Sequence, residues 1–256
     1  MVKNAGPLRK PISFTRHTDS RSSWAGERLQ QFGASVCHWQ PSVHSKYLPV
    51  NVELQDTLEY ISNSQSEAGY WDEPEEIRHY DPPPWMLPGR YENQLWLTSA
   101  VCCKLRELGC EDEVRFDQAL DFLRKGWNGQ RYPLFHHTNW MVMVLLGMLQ
   151  TKLDSDSQII TRCKKHLIKA IENDLVDPGD LSAISYASIL AGYQAQDLLE
   201  ISIRKMQENQ LEDSIWRTNY GEKYRLGLTV DALFTFKRLG KHISSLYAST
   251  TCLATL

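Results

Sequence analysis

One short pattern closes two amphipathic segments that lie far apart in the chain, and it restricts the fold more than any other feature. Gln65-Ser66-Glu67-Ala68-Gly69-Tyr70-Trp71 follows the apolar run Leu54, Leu58, Ile61. Gln210-Leu211-Glu212-Asp213-Ser214-Ile215-Trp216 follows Leu198, Ile201, Met206. In both copies an acidic residue stands two places after the Gln and a small residue, Gly69 or Ser214, two places before the Trp. A helix end, a polar turn and a returning aromatic anchor, used twice, imply a repeat architecture.

The segments between the copies have the periodicity such a repeat needs. Leu54, Leu58 and Ile61 fall at i, i+4 and i+7, the stripe of a helix buried on one side. An acidic, Pro-rich excursion from Asp72 to Arg90 follows, and a stretch of that length is expected to act as a lid or rim. A second helix is predicted from Asn93 to Leu108, closed by Gly109. The unit then recurs. Phe116, Ala119, Leu120 and Leu123 mark a one-sided helix, partnered by a nearly all-apolar one from His137 to Leu149. Ile160, Cys163, Leu167, Ile168 and Ile171 mark the third, partnered by Asp180–Tyr193; Leu198, Ile201 and Met206 mark the fourth, partnered by Tyr224–Leu239 and stopped at Gly240. The one-sided helices begin at intervals of about 60, 43 and 40 residues, the first lengthened by the Pro-rich excursion. They should form an outer layer, and their apolar partners an inner layer buried on both faces.

Three regions follow from this: residues 1–50 as an arm with a short helix (Trp24 to Phe32) and a loop (Gln40 to Val50), 51–240 as the repeat domain, and 241–256 as a tail. At 256 residues the chain can bury a substantial core. The formal net charge of −3 gives no reason to expect a nucleic-acid partner. No apolar run reaches the roughly 18 residues of a transmembrane helix. The six cysteines include no CxxC pair and the chain no secretory apolar segment, so reduced thiols in a cytoplasmic protein are expected, with no metal and no cofactor.

The segment Leu58–Trp71 resembles the QW repeat of the squalene-hopene cyclase and oxidosqualene cyclase superfamily, in which an outer helix ends in a Gln that packs on the Trp of the following turn. Gln210–Trp216 resembles a weaker copy, with Ser214 where that family prefers Gly. The hairpin around Phe122 keeps the helix pair without the Gln. The resemblance implies an all-α fold, an α/α toroid or partial toroid of about four or more helical hairpins. Such a toroid is shared by terpene cyclases, protein prenyltransferase β subunits and complement thioester domains. Four pairs are fewer than the six that close the family's ring. The arc is then incomplete, or is completed by the arm and tail, or two chains associate across the open edges as a homodimer.

In such a toroid the inner helices begin at the mouth of a central cavity, where backbone N–H groups and the helix dipole favour carboxylates and anions. Four polar helix starts qualify: Tyr91-Glu92-Asn93, His136 to Trp140 with Asn139, Asp177 to Asp180, and Tyr220 to Tyr224. The resemblance makes Asp180 or Asp177 a proton donor, because class II terpene cyclases protonate an alkene or epoxide with an Asp of a DxDD motif. Asp-Pro-Gly-Asp matches that motif loosely, and the alternative is that Asp180 simply N-caps its helix. His136 and His137 are candidate proton-transfer groups; alternatively one caps the helix and the other is exposed. Asp231 interrupts an apolar run and is either buried with a donor or on a solvated edge. Trp140, Tyr186, Tyr224 and Phe234 would line the wall, where aromatic faces suit cationic intermediates. The DDxxD of class I synthases, the prenyltransferase zinc pattern and the complement thioester motif are absent. Two expectations follow: acid-initiated cyclisation of an apolar, polyprenoid-like substrate, or a non-catalytic toroid acting as a binding or assembly module.

Overall fold

A computed structural model of the chain describes residues 52–253, apart from Pro83, residues 134–135, 151–152 and 213–214, Arg217 and Tyr220, and gives the backbone alone beyond Gly240. The arm, the helix expected from Trp24 to Phe32 and the loop expected from Gln40 to Val50 lie outside the described residues, as does Ser214. What is described is all-α. The helices are α1 (Val52–Ser64), α2 (Tyr91–Leu108), α3 (Phe116–Lys125), α4 (His136–Leu149), α5 (Asp154–Glu172), α6 (Asp180–Ala191), α7 (Gln196–Glu208) and α8 (Glu222–Leu253). None is long and apolar enough, within the described residues, to cross a membrane.

The two kinds of helix follow the periodicity, but the pairing is offset by one: α3, α5 and α7 pack chiefly on the inner helix before them, not on the partner expected after them. Helices α2, α4, α6 and α8 pack on one another in order, while α3, α5 and α7 pack on α2, α4 and α6 respectively. In α4 every residue from Thr138 to Leu146 is buried, and in α2 every residue from Leu95 to Cys103. The odd-numbered helices bury one stripe each, such as Ala119, Leu120 and Leu123 in α3. Cys102, Cys103 and Cys163 are buried and unpaired; burial raises all three thiols, so they serve as small core side chains. Gly240 does not stop the last helix, which runs on to Leu253. One glycine in a helix interior costs about 1 kcal/mol, too little to end a helix of this length.

The aromatic anchors explain how each hairpin turns. A helix leaves its last carbonyls without intrahelical partners. The Trp71 indole N–H donates to Ile61 O at 2.8 Å, in the last turn of α1, and the Trp216 indole N–H donates to Met206 O at 2.9 Å, in the last turn of α7. Both tryptophans are buried. Their backbone N–H groups bond forward, Trp71 to Thr98 Oγ1 at 3.0 Å and Trp216 to Thr229 Oγ1 at 3.3 Å, on the following inner helix. A third anchor has neither Trp nor Gln. Tyr132 donates its hydroxyl to Leu123 O at 2.9 Å, and its backbone N–H goes to Asn139 Oδ1 at 3.0 Å.

Successive outer helices are tied by three different devices. Gln65, 6% exposed, donates to Gly69 O and to Arg115 O, and accepts the Arg115 backbone N–H at 2.9 Å. Arg115 is the residue at which α3 begins, so this Gln bridges two hairpins. The resemblance leads one to expect packing on Trp71; the bonds run to the next outer helix. Between α3 and α5 the tie is a two-pronged ion pair, Arg124 to the fully buried Asp156 at 3.0 and 2.9 Å. Between α5 and α7 it is Lys164 to Asp197 at 3.0 Å.

On the inner row, contact also skips a hairpin. Lys104 and Glu107 of α2 pair at 3.0 Å; the Tyr186 hydroxyl of α6 lies 3.3 Å from Glu107 Oε1, and Arg238 of α8 donates to that hydroxyl at 3.3 Å.

Candidate functional site

The starts of α4 and α6 come together. Asp177 shapes the second of them: its Oδ1 accepts the Gly179 N–H at 2.7 Å and the Thr218 hydroxyl at 2.8 Å, and its Oδ2 accepts the Asn219 N–H at 2.7 Å. That carboxylate is spent on holding two turns together. A Cβ at Gly179 would lie 2.5 Å from the tip of the Leu228 side chain of α8, so the start of α6 and α8 meet closely here. Gly179 already has α-helical dihedrals and the Asp180 N–H bonds to Asp177 O, which makes Asp180 the first helical residue. The expected N-cap role of Asp180 is not what the structure shows: the capping position is Gly179, with no side-chain cap bond.

Asp180 instead faces His137. Asp180 Oδ1 is 3.6 Å from His137 Nε2, an ion-pair separation longer than a hydrogen bond. Both side chains are largely buried, 25% exposed for His137 and 14% for Asp180, so neither is sealed from solvent. The His137 ring lies 4.4 Å from that of Trp140, which is itself buried and whose indole N–H has no partner. Next to them, His136 stacks on His166 of α5 with ring centroids 5.2 Å apart, and His136 Nδ1 is buried without a partner. Burial is the main reason the His136 imidazole is held below its ordinary pKa; the charges of His137 and Arg131 act the same way and Asp180 opposes them. His166 is lowered first by burial, then by His136 and Arg131. This arrangement places three imidazoles, two of which favour the neutral form, and a carboxylate within one small region, a composition suited to proton transfer.

The other predicted residues lie elsewhere. Asn93 donates to Pro84 O and Leu87 O, pinning the Pro-rich excursion, and Asn139 holds the Tyr132 turn. Tyr91 is exposed and packs edge-on to Phe122 at 5.7 Å. Glu92 sits in the first turn of α2, half-buried. Trp140 belongs to the core, and Tyr186 is engaged by Glu107 and Arg238. Tyr224 and Phe234 are exposed on α8, and Asp231 is half-buried there. A cavity of about 340 Å³ opens between the ends of α5 and α7 and the turn before α6, lined by Val176, Leu181, Lys205 and Asn219; neither His137 nor Asp180 lines it. Among the described residues no group of three His, Cys, Asp or Glu side chains is placed to hold a metal ion.

His166 escapes sequence reading, since it lies on the polar flank of a one-sided helix with no motif around it. Glu73 escapes too. It is 5% exposed, and burial, helped by the charge of Asp72, pushes its carboxyl up to about 7. No family model matches this chain, and neither does a curated protein or a solved structure.

Proposed function

We propose that the four hairpins form an arc of an α/α toroid and that His137 and Asp180, at its mouth, are an acid–base pair acting on an apolar substrate. The observation that carries this is the 3.6 Å approach of two side chains from the starts of adjacent inner helices. In this reading Asp180 stabilises the imidazolium that forms when His137 takes a proton, and the pair returns that proton later in the cycle. The form of chemistry that the QW-like clasps suggest is that of the squalene-hopene cyclases, with protonation of an alkene or epoxide followed by loss of a proton from the cyclised cation. Asp180 is then the donor and His137 the group that reloads it.

A second reading has its own support. Asp177, Asn139 and Tyr186 spend their polar atoms on the fold, and so does the Asn93 amide nitrogen. A toroid whose mouth residues hold turns suits a non-catalytic binding or assembly module. The two readings separate in one experiment. Asp180→Asn and His137→Gln, assayed with squalene and its epoxide, should each abolish cyclised product while leaving the melting temperature within a few degrees. Equal product from the variants and the native chain overturns the assignment, and no product from any of them favours the module.

A further inference from the structure

Helix α8 is the last of the inner row, and its two sides differ. Leu228, Ala232 and Thr235 are buried on the side that packs against α6. On the opposite side Leu226 is 73% exposed and Leu233 56%. Glu222 and Lys237 are exposed as well, with Val230 half-buried between them. At about 100° per residue, positions 222, 226, 230, 233 and 237 fall within a strip about 80° wide. Along the helix the strip reads acid, leucine, valine, leucine, base. Each of the preceding inner helices α2, α4 and α6 packs against the next inner helix; for α8 none follows among the described residues.

The strip is complementary to itself when reversed. Turned end for end about a point between Thr229 and Val230, it sets Leu226 on Leu233 and Glu222 on Lys237. A parallel pairing would instead set acid on acid and base on base. Self-complementarity of this kind is what a two-fold interface requires, because the same patch must serve both sides. We propose that this strip is the contact of a homodimer in which α8 of one copy packs antiparallel on α8 of another. Opposed charges at the two ends fix the direction and register, and the leucines supply the apolar contact. One helix pair buries less than the roughly 1,000 Å² of a stable complex. The dimer should therefore form and dissociate with concentration, with a Kd of micromolar order.

Sedimentation velocity on the full chain, from low to high micromolar concentration, tests this. The native protein should shift from monomer to dimer across that range. Combined Leu226→Glu and Leu233→Glu should leave a monomer throughout, with an unchanged melting temperature because both side chains are exposed. Glu222→Lys alone should weaken the dimer about tenfold by setting like charges together at both ends. Adding Lys237→Glu to it should restore the native constant. A native protein that stays monomeric overturns the proposal. So does a dimer indifferent to the leucine changes, or a double charge swap that fails to restore association.

Discussion

The two Gln–Trp clasps look alike in sequence and do different work. Their Trp halves are equivalent: each indole N–H satisfies a last-turn carbonyl of its own outer helix, and each backbone N–H reaches a threonine of the next inner helix. Their Gln halves are not. Gln65 is buried and bonded to the start of α3, whereas Gln210 is exposed. The Trp is thus a device within one hairpin, and the Gln a device between two. A Gln at this place is buried where another outer helix follows, and among the described residues none follows α7.

This comparison can be broken in several ways, the largest first. Gly69 has φ +92°, and a Cβ there would lie 2.4 Å from the Gln118 backbone of α3, which no side-chain movement relieves. Gly69→Ala should cost at least about 3 kcal/mol by combining backbone strain with a clash, measured as a loss in urea unfolding. Next is pH. Two residues after its Trp, the first clasp carries Glu73 and the second Thr218. The folded-state pKa of Glu73, about 7, lies above its ordinary 4.5. A raised carboxyl stabilises fully below the unfolded value and loses that contribution as pH rises through the folded one. Native stability should therefore fall from about pH 4.5 to about pH 7, by up to about 3 kcal/mol, in a way that Glu73→Gln removes; denaturation at a series of pH values reads this directly. Equal slopes in both proteins would show that the Glu73 carboxyl is not desolvated.

Third, Gln65→Ala leaves the Arg115 N–H and the Gly69 carbonyl without their Gln65 partner and should cost about 2 kcal/mol. Gln210→Ala should stay within about 0.5 kcal/mol, as for an exposed site. If the two losses prove equal, the distinction between the Gln halves fails. The smallest effect should also be the most even. Trp71→Phe and Trp216→Phe each remove one buried hydrogen bond from an otherwise similar ring, and each should cost about 1–2 kcal/mol by thermal melting.

How far the chain could be read in advance follows from the range of the forces involved. The helices and their one-sided burial were legible because burial on one side repeats every 3.6 residues, as Leu54, Leu58 and Ile61 do; which inner helix each outer one packs on was not, because that is set by contacts between hairpins. The Tyr132 anchor was hidden because its function is a hydroxyl reaching Leu123 O, which a Tyr can do at many loop positions. The lost Gln of that hairpin has a substitute, but Arg124 and Asp156 lie in different helices and nothing local couples them. At the site, Asp180 and the two histidines could be picked out as polar residues at helix starts. Their convergence depends on how α4 and α6 pack, and the stacking of His166 on the histidine pair depends on α5. Trp140 shows the converse: an aromatic at a helix start looked like a cavity wall and is core.

A linear array of hairpins, each touching only its neighbours, can melt from either end one unit at a time. The Tyr186 hydroxyl forbids that simple behaviour here, because it joins the third hairpin to Glu107 of the first and to Arg238 of the fourth. Loss of the last hairpin takes away a partner of Tyr186, and loss of the first takes away another. The described repeats are therefore coupled beyond nearest neighbours, and unfolding should be more cooperative across them than in a row of hairpins that touch only their neighbours.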